Sequence, residues 1–263
     1  MDFKTLLLDI NEKGVASLTM NRPARHNAFN EMVIGELHEA VDFLDDHKSV
    51  RAVVLKGNGK SFSAGADLEW MKRAAKFSKK DNEADALALS NMYQALNTLS
   101  KPVIALAHGV IMGGGTGLVA CADIVFSTPD AVFAFSEVRL GLVPATISPF
   151  VIAAIGARQA RRYMLTGEKF DGRVAQSLGL VHKLVPEADE LAATAQSFIE
   201  KNILGNGPKA VAATKVLIRD VAGKPIDEAL RKMTAEKIAE IRTSDEAREG
   251  LAAFFEKRAP DWQ

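Results

Sequence analysis

The chain lacks the residues on which several classes of protein depend. Its 263 residues include one cysteine, Cys121, so no internal disulfide can form, and no cysteine–histidine cluster suggests zinc or another metal. Because Cys121 lies inside an apolar run, we interpret it as a small buried hydrophobe. Basic and acidic residues both number 33. This balance leaves no basic excess, so we expect no nucleic-acid partner.

Long apolar runs and nucleotide motifs are also absent. No segment approaches the roughly 20 residues that a membrane helix needs, and the first residues lack the basic start and apolar run of a signal peptide. We therefore expect no membrane partner and a cytoplasmic location, with a mature organellar form left open. The segment GNGKSFSAG at 57–65 lacks the spacing of a phosphate-binding P-loop, and no GxGxxG occurs, which disfavours both nucleotide folds.

The first part of the chain predicts an α/β fold with a repeated strand–strand–helix pattern. Apolar runs at 5–10 and 15–20 flank a turn with glycine and predict a hairpin. Asn30 is placed to cap a helix over 31–46, where apolar residues recur at helical spacing. Further strands are predicted in the segments RAVVLKG at 51–57, VIALAHG at 103–109, DIVFST at 123–128 and AVFAF at 131–135.

The last part of the chain predicts helices only. We divide the sequence into a core over 1–190 and a helical module over 191–263. Leu251, Phe254 and Phe255 in the last helix could pack within the chain or form a subunit interface, and packing within the chain is our expectation. The charged segment at 71–87 is interpreted as a solvated helix or surface loop. Because it follows a candidate functional loop, a lid over a ligand is the alternative.

Two segments are rich in small residues: SFSAGADL at 61–68 and IMGGGTGL at 111–118. Glycine lets a backbone approach a ligand closely with its N–H groups free. Two N–H groups aimed at one point form an oxyanion hole, which stabilises charge developing on a carbonyl oxygen. Either loop alone could instead be a glycine turn that only permits close packing.

Six motifs in order carry a family resemblance. They are NRPARHNAFN, FSAGADL, KPVIALAHGVIMGGGTGLVACADI, FAFSEVRLGLVP, ARRYMLTGEKFDGRVAQSLGLVHKLVP and GLAAFFEKRAP. In these segments the chain resembles the crotonase superfamily, also called the enoyl-CoA hydratase/isomerase family. The resemblance implies a crotonase-like stacked ββα spiral with a C-terminal helical trimerisation module, and a homotrimer or hexamer. It also implies an acyl-CoA thioester substrate, with coenzyme A as part of the substrate and no permanently bound cofactor.

The same resemblance implies roles for individual residues. The backbone N–H groups of Ala66 and Gly114 match the oxyanion hole, and Glu137 matches a catalytic glutamate. The helix expected after Gly115 would direct its positive end at the same point. The residues that match the neighbourhood of coenzyme A are Arg22, Arg25, Ser63, Ala64 and Lys257. We interpret Asp67, Asp123 and His108 as structural.

Gly117 departs from the pattern of family hydratases, which carry a second glutamate at this position. Two carboxylates can hold the attacking water while one of them moves a proton. A single carboxylate suffices to move a double bond, since one base can take a proton at one carbon and return it at another. The departure therefore gives weight to a Δ3,Δ2-enoyl-CoA isomerase that uses Glu137 alone.

The segment SEVRLGLVPATISPF at 136–150 gives weight to hydration instead. It resembles a subgroup described as hydratases of methylglutaconyl-CoA or γ-carboxygeranoyl-CoA, which also has glycine at the first glutamate position. The additional carboxylate of such substrates could be bound by Arg139, although Arg139 fits a solvent-facing or interface position equally well. Our prediction is hydration of an α,β-unsaturated acyl-CoA. Isomerisation is the alternative, and a non-catalytic relative that binds coenzyme A or RNA is a third.

Overall fold

The structure is a computed structural model and describes residues 2–262. Two β-sheets form within this range. The larger sheet has the strand order β1-β2-β3-β4-β6-β9, and the smaller has the order β5-β7-β8. The strands are β1 (Leu6–Ile10), β2 (Val15–Met20), β3 (Ala52–Gly57), β4 (Val103–Ala107), β5 (Val110–Met112), β6 (Ile124–Ser127), β7 (Val132–Ala134), β8 (Phe170–Asp171) and β9 (Lys183–Leu184). β1 is antiparallel to β2 and β8 to β7, whereas the other pairs are parallel.

Ten α-helices lie within the described residues. They are α1 (Glu31–Asp46), α2 (Leu68–Ala74), α3 (Lys79–Thr98), α4 (Gly114–Cys121), α5 (Ser148–Thr166), α6 (Gly172–Ser177), α7 (Glu190–Asn202), α8 (Pro208–Val221), α9 (Glu228–Arg242) and α10 (Asp245–Glu256). α5 is broken at Gly156, whose φ of 73° and ψ of 154° are not helical. The predicted α/β class, the hairpin and the helix that Asn30 caps are confirmed.

The chain winds as a spiral that places one strand in each layer per turn. β4 joins the large sheet and β5 the small sheet before α4, and β6 and β7 repeat this order before α5. In the preceding turn, β3 is followed by residues that form an isolated parallel bridge between Ser63 and Ile111 of β5. Equivalent positions of successive turns are therefore neighbours at the edge of the small sheet.

Both faces of the large sheet are buried. α1, α3, α4 and α5 contribute to a core on one face, and α7 covers the other face through Leu191, Ala195 and Ile199. This two-sided burial explains why β3 and β4 are nearly continuous apolar runs rather than alternating ones. By its packing α7 belongs to the core, although the boundary expected after residue 190 assigned it to the C-terminal module.

The C-terminal helices are attached at the N-terminal end of β3. The guanidinium of Arg51 donates to the carbonyls of Leu204, Asn206 and Trp262. The indole Nε1 of Trp262 donates to Gly205 O. Since the small-residue loops follow the C-terminal ends of β3 and β4, these contacts fasten the end of the module at the opposite edge of the sheet.

Two expectations about packing have different outcomes. Cys121 is buried, as predicted. Phe254 and Phe255 are each 76% exposed and Leu251 is 52% exposed, so the expected packing of these side chains within the chain is wrong. They lie on an outward face of α10, because this helix meets the rest of the chain mainly through α8 and α9.

Within residues 2–262, no helix is both long and apolar enough to cross a bilayer.

Candidate active site

A β-ladder brings the two small-residue loops together. The backbone N–H of Ser63 donates to Val110 O at 3.2 Å, and the N–H of Met112 donates to Ser63 O at 3.0 Å. Ser63 and Ile111 are therefore paired in parallel register. Ala66 and Gly114 each follow their paired residue by three positions. The two predicted oxyanion donors thus leave the same ladder side by side.

Glycine is required where the two loops approach each other. Gly65 has φ +88°, and a Cβ on it would lie 2.8 Å from Met112 O and 3.7 Å from the backbone nitrogen of Gly114. Gly113 has φ +48° and ψ −116° and is the N-cap of α4. L-residues with side chains rarely adopt such backbone angles. Glycine at these two positions therefore permits both the turn and the close approach of the two loops.

The amides of Ala66 and Gly114 are open to a ligand. Neither N–H donates a hydrogen bond to any other part of residues 2–262, whereas the Asp67 N–H donates to Phe29 O. α4 begins at Gly114, two residues earlier than expected. The positive end of the helix therefore begins at the donor itself. Two free amides at a helix N-terminus can stabilise an anionic oxygen.

Glu137 lies beside Gly113, the residue before the Gly114 amide. It begins a short 3-10 turn, Glu137–Leu140, after β7, and a Cβ on Gly113 would lie 3.1 Å from its Oε1. Its Oε2 is buried and has no hydrogen-bond partner among residues 2–262. Burial raises the pKa of the Glu137 carboxyl, since removal from water disfavours the charged form. The carboxyl is thus suited to accept and release a proton.

Gly117 has no room for a side chain. A Cβ there would clash with Cγ2 of Ile147 and would lie 3.0 Å from Cζ of Tyr93. Both side chains are buried, Ile147 at 2% and Tyr93 at 0% exposure. The volume next to the position where family hydratases carry a second glutamate is therefore filled by a phenol ring and an aliphatic side chain.

Sequence reasoning missed Tyr93 and Ile147. The Tyr93 hydroxyl donates to Gly114 O at 2.9 Å, so this side chain contacts the peptide group that follows the second oxyanion donor. Tyr93 lies in the second half of α3, outside the segments that carry the resemblance. Its proximity to Gly114 depends on how α3 packs on α4, and no local sequence pattern indicates that contact.

The three residues interpreted as structural have partners within the chain. Asp67 caps α2 by accepting from the N–H groups of Glu69 and Trp70. Asp123 accepts from the Val103 N–H and from Lys215 Nζ. The ring of His108 is hydrogen-bonded to Gly59 O at 2.8 Å. These contacts explain the three side chains without a catalytic role.

The two arginines that are candidates for binding coenzyme A differ in whether they are paired within the chain. Arg22 is held at 2.9 Å from a carboxylate oxygen of Asp67 and also donates to Ala28 O at 2.5 Å. Hydrogen bonding to Arg22 contributes, against the opposing effect of burial, to a lowered pKa of the Asp67 carboxyl. Arg25 is exposed, and its side chain makes no hydrogen bond or ion pair within residues 2–262. Arg25 is therefore the one available to an anionic ligand.

The remaining candidates for binding coenzyme A also differ in their exposure and in whether their polar groups are already bonded within the chain. Ser63 is 0% exposed, its hydroxyl donates to Asn27 O, and its backbone bonds in the ladder. It lies behind the loop surface and presents no free polar group there. Ala64 is half-buried, and its N–H donates to His26 O. Lys257 is exposed at the C-terminal end of α10, and within residues 2–262 its side chain makes no hydrogen bond or ion pair with the small-residue loops. Within residues 2–262, no three His, Cys, Asp or Glu side chains are arranged to hold a metal ion.

A family model and several known proteins match this chain over nearly its whole length. A family model described as "Enoyl-CoA hydratase/isomerase" matches residues 10–263. The crystal structure of an enoyl-CoA hydratase from Shewanella pealeana superposes with a TM-score of 0.95 at 43% identity, covering 99% of this chain and 96% of that one.

Relatives with different reactions in their names are also similar. The "Short-chain-enoyl-CoA hydratase" of Clostridium acetobutylicum is 31% identical, with 98% of this chain and 97% of that protein covered. The "Delta(3,5)-Delta(2,4)-dienoyl-CoA isomerase, mitochondrial" of Dictyostelium discoideum is 30% identical, with 98% and 91% covered. The family model and these relatives show that the chain, which has the crotonase fold, belongs to the enoyl-CoA hydratase/isomerase family.

Proposed function

We propose that this protein hydrates an α,β-unsaturated acyl-CoA, with Glu137 as its only side-chain acid and base. The observation that carries the proposal is the buried Glu137 Oε2, which has no partner among residues 2–262 and belongs to a carboxyl next to the Gly113–Gly114 turn. A buried carboxyl without a partner is costly to the fold. Its position beside Gly113, one residue before the free Gly114 amide, suits it to move protons there.

The reaction follows from this placement. The thioester oxygen accepts hydrogen bonds from the Ala66 and Gly114 amides, which draw electron density away from the β-carbon. Ionised Glu137 takes a proton as a water molecule adds its oxygen to that carbon, and the charge moves onto the thioester oxygen as an enolate. Protonated Glu137 then returns the proton to the α-carbon, and the carboxylate is regenerated. The raised pKa of Glu137 supports both steps, since acid–base groups work best near the ambient pH.

Coenzyme A is proposed to bind across the surface of the first loops. Arg25 is an exposed cation in this region whose side chain has no ion pair among residues 2–262, and it suits the nucleotide phosphates. The carbonyl of Ala64 suits the adenine amino group. Lys257 is proposed to reach coenzyme A from a neighbouring copy in a homotrimer or hexamer, because the described contacts hold its own C-terminal segment at the far edge of the sheet.

For the acyl group, we propose a branched chain that carries a second carboxylate, as in methylglutaconyl-CoA. The support is the resemblance of residues 136–150 to hydratases of such substrates, together with Arg139. This arginine is exposed two positions after Glu137 and has no ion pair among residues 2–262. A guanidinium can bind a carboxylate through two parallel hydrogen bonds.

Isomerisation is the second candidate, and the filled space at Gly117 favours it. With Ile147 and Tyr93 in that volume, no second carboxylate holds the attacking water. Movement of a double bond needs no bound water, because Glu137 alone can remove a proton at one carbon and deliver it to another.

Isotope-labelled water separates the candidates. The purified protein is offered crotonyl-, 3-methylglutaconyl- and 3-enoyl-CoA in H₂¹⁸O, and products are analysed by mass spectrometry and by absorbance of the conjugated thioester. Hydration incorporates ¹⁸O at the β-carbon and lowers the absorbance. Isomerisation raises the absorbance without incorporating ¹⁸O and would overturn our first choice. Absence of turnover with every thioester would contradict both and favour a non-catalytic protein that binds coenzyme A or RNA.

A further inference from the structure

The three consecutive glycines leave the second oxyanion donor without side chains of its own to hold it. Gly113, Gly114 and Gly115 precede or begin α4, and glycine has more backbone freedom than any other residue. An oxyanion hole stabilises a transition state only if its donors are already oriented before the charge develops. Other parts of the chain must therefore fix the Gly114 backbone.

Two buried aromatic side chains enclose Gly114. A Cβ on this residue would lie 2.8 Å from the Tyr93 hydroxyl oxygen and 3.0 Å from two ring carbons of Phe29. The Tyr93 hydroxyl donates to Gly114 O at 2.9 Å. Because Tyr93 is 0% exposed, bulk water does not compete for this hydrogen bond.

We propose that Tyr93 is a positioning residue of the oxyanion hole, whose hydroxyl fixes the Gly114 backbone while its ring fills the space beside Gly117. The proposal rests on the proposed function, in which a thioester oxygen binds the Gly114 amide. The same ring lies 3.0 Å from where a Gly117 Cβ would stand. The Tyr93 side chain therefore contacts the Gly114 backbone and, together with Ile147, fills the space beside Gly117.

Tyr93 acts as a donor rather than as a second acid–base group. Burial raises the pKa of its phenol well above the ordinary value, and Cys121 and Glu137 raise it further. The phenol therefore keeps its proton while Glu137 titrates. Its hydroxyl points at a backbone carbonyl, which cannot pass a proton to substrate. Loss of the hydroxyl should therefore lower kcat without removing an ionisation from the pH dependence of kcat.

The test compares Tyr93→Phe with Tyr163→Phe. The chain has two tyrosines, and Tyr163 is also buried but packs on Phe170, away from Gly114. Both substitutions remove one hydroxyl and keep the ring. We expect Tyr93→Phe to lower kcat about 10- to 100-fold, less than the roughly 10²–10³-fold loss when a donor is removed outright. We expect KM to stay within about twofold and Tyr163→Phe to leave kcat unchanged.

A spectroscopic readout isolates positioning from general loss of stability. The infrared carbonyl stretch of bound, carbonyl-labelled butyryl-CoA, a saturated thioester that cannot be hydrated, reports polarisation by the oxyanion hole. In the wild type and Tyr163→Phe the stretch should fall below its value in solution. In Tyr93→Phe it should return toward that value. An unchanged stretch together with wild-type kcat would overturn the proposal.

A second measurement does not depend on the Tyr93 variant folding. In Tyr163→Phe, Tyr93 is the only remaining tyrosine, so ultraviolet resonance Raman bands of tyrosine report its hydrogen bond alone. We expect the signature of a donor, which shifts when butyryl-CoA binds. A signature of an unbonded phenol would overturn the proposal. If the wild type turns over no thioester in the labelled-water assay, the proposed function fails instead, and this Raman result stays interpretable.

Discussion

The carboxyl of Glu137 lies against the backbone of Gly113, since a Cβ at Gly113 would stand 3.1 Å from its Oε1. This places the buried carboxyl next to the residue that precedes an oxyanion amide. A group that moves protons at the α-carbon of a thioester must lie close to the group that binds the thioester oxygen. The relationship leads to the first two predictions.

Glu137→Gln should abolish most turnover while leaving the fold and the binding of coenzyme A intact. Removal of a positioned acid–base group typically costs about 10²–10⁴-fold in rate, and glutamine keeps the shape of the side chain. Steady-state kinetics and calorimetry with butyryl-CoA measure the two effects. Glu187→Gln, a substitution at an exposed glutamate, is the control and should keep full activity. Full activity in Glu137→Gln would refute the catalytic assignment.

The same substitution should stabilise the protein at neutral pH. Because burial raises the folded-state pKa of Glu137 above its ordinary value of 4.5, the folded state binds the proton more tightly than the unfolded state does. Stability from this group is therefore greatest below pH 4.5 and falls as pH rises through the folded-state pKa. Thermal unfolding should give Glu137→Gln a higher Tm than the wild type at pH 8. The difference should shrink as the pH is lowered toward 5, and a constant difference would contradict the raised pKa.

Two glycines should respond oppositely to alanine. Gly65→Ala places a Cβ at φ +88° and 2.8 Å from Met112 O, so it should displace the Ala66 amide and lower kcat about 10²-fold or more. Gly35 lies exposed inside α1, and a Cβ there meets nothing within 4 Å. Gly35→Ala should therefore stabilise the protein by about 0.5–1 kcal/mol without affecting kcat. Urea unfolding and kinetics of the two variants check both statements, and equal kinetic effects would refute them.

Gly117 and Ile147 should be energetically coupled. Gly117→Ala alone forces a Cβ onto Cγ2 of Ile147, and such overpacking costs about 1–3 kcal/mol. Ile147→Ala alone leaves a cavity and costs about 2–5 kcal/mol. In the double variant the new methyl enters the space that Ile147 leaves, so the two costs should not add. A double-mutant cycle by urea unfolding measures the coupling, and strict additivity would show that the two positions are not in contact.

Alanine substitutions of Arg22 and Arg25 should have different effects: the first should lower the stability of the fold, and the second should weaken binding of acyl-CoA. Arg22→Ala leaves the buried Asp67 and the Ala28 carbonyl without the hydrogen bonds that Arg22 donates, so it should destabilise the fold by about 1–3 kcal/mol. Arg25→Ala should leave Tm unchanged and raise KM for acyl-CoA, with less effect at high salt. Thermal unfolding and kinetics at two ionic strengths test the pair. An unchanged KM in Arg25→Ala would remove this residue from the proposed site.

Local signals in the sequence predicted much of the fold. Asn30 caps α1 at the expected residue, because capping depends on a few neighbouring residues. Short strands were missed: β5, β8 and β9 have three, two and two residues. So few residues show no recognisable alternation, and their pairing is set by the turns of the spiral on either side.

The family motifs imply roles for Ala66, Gly114 and Glu137, and these roles stay predictions. The structure pairs Ser63 with Ile111 and places the Glu137 carboxyl beside Gly113. Tyr93 and Ile147 could not be predicted, because their roles depend on helix packing between residues that lie far apart in the chain. The exposed face at Phe254 and Phe255 shows a different limit of prediction from sequence. Amphipathic spacing identifies an apolar face, yet it does not say whether the same chain covers it.

The parallel bridge between Ser63 and Ile111 has a consequence for how such an enzyme can diversify. Both amides leave the ladder three residues after this bridge, and neighbouring strands lie about 4.8 Å apart whatever side chains they carry. The spacing of the donors is therefore inherited from the main chain. Side chains around these amides can change through evolution while the spacing of the amides stays constant, so one fold can be adapted to different ligands.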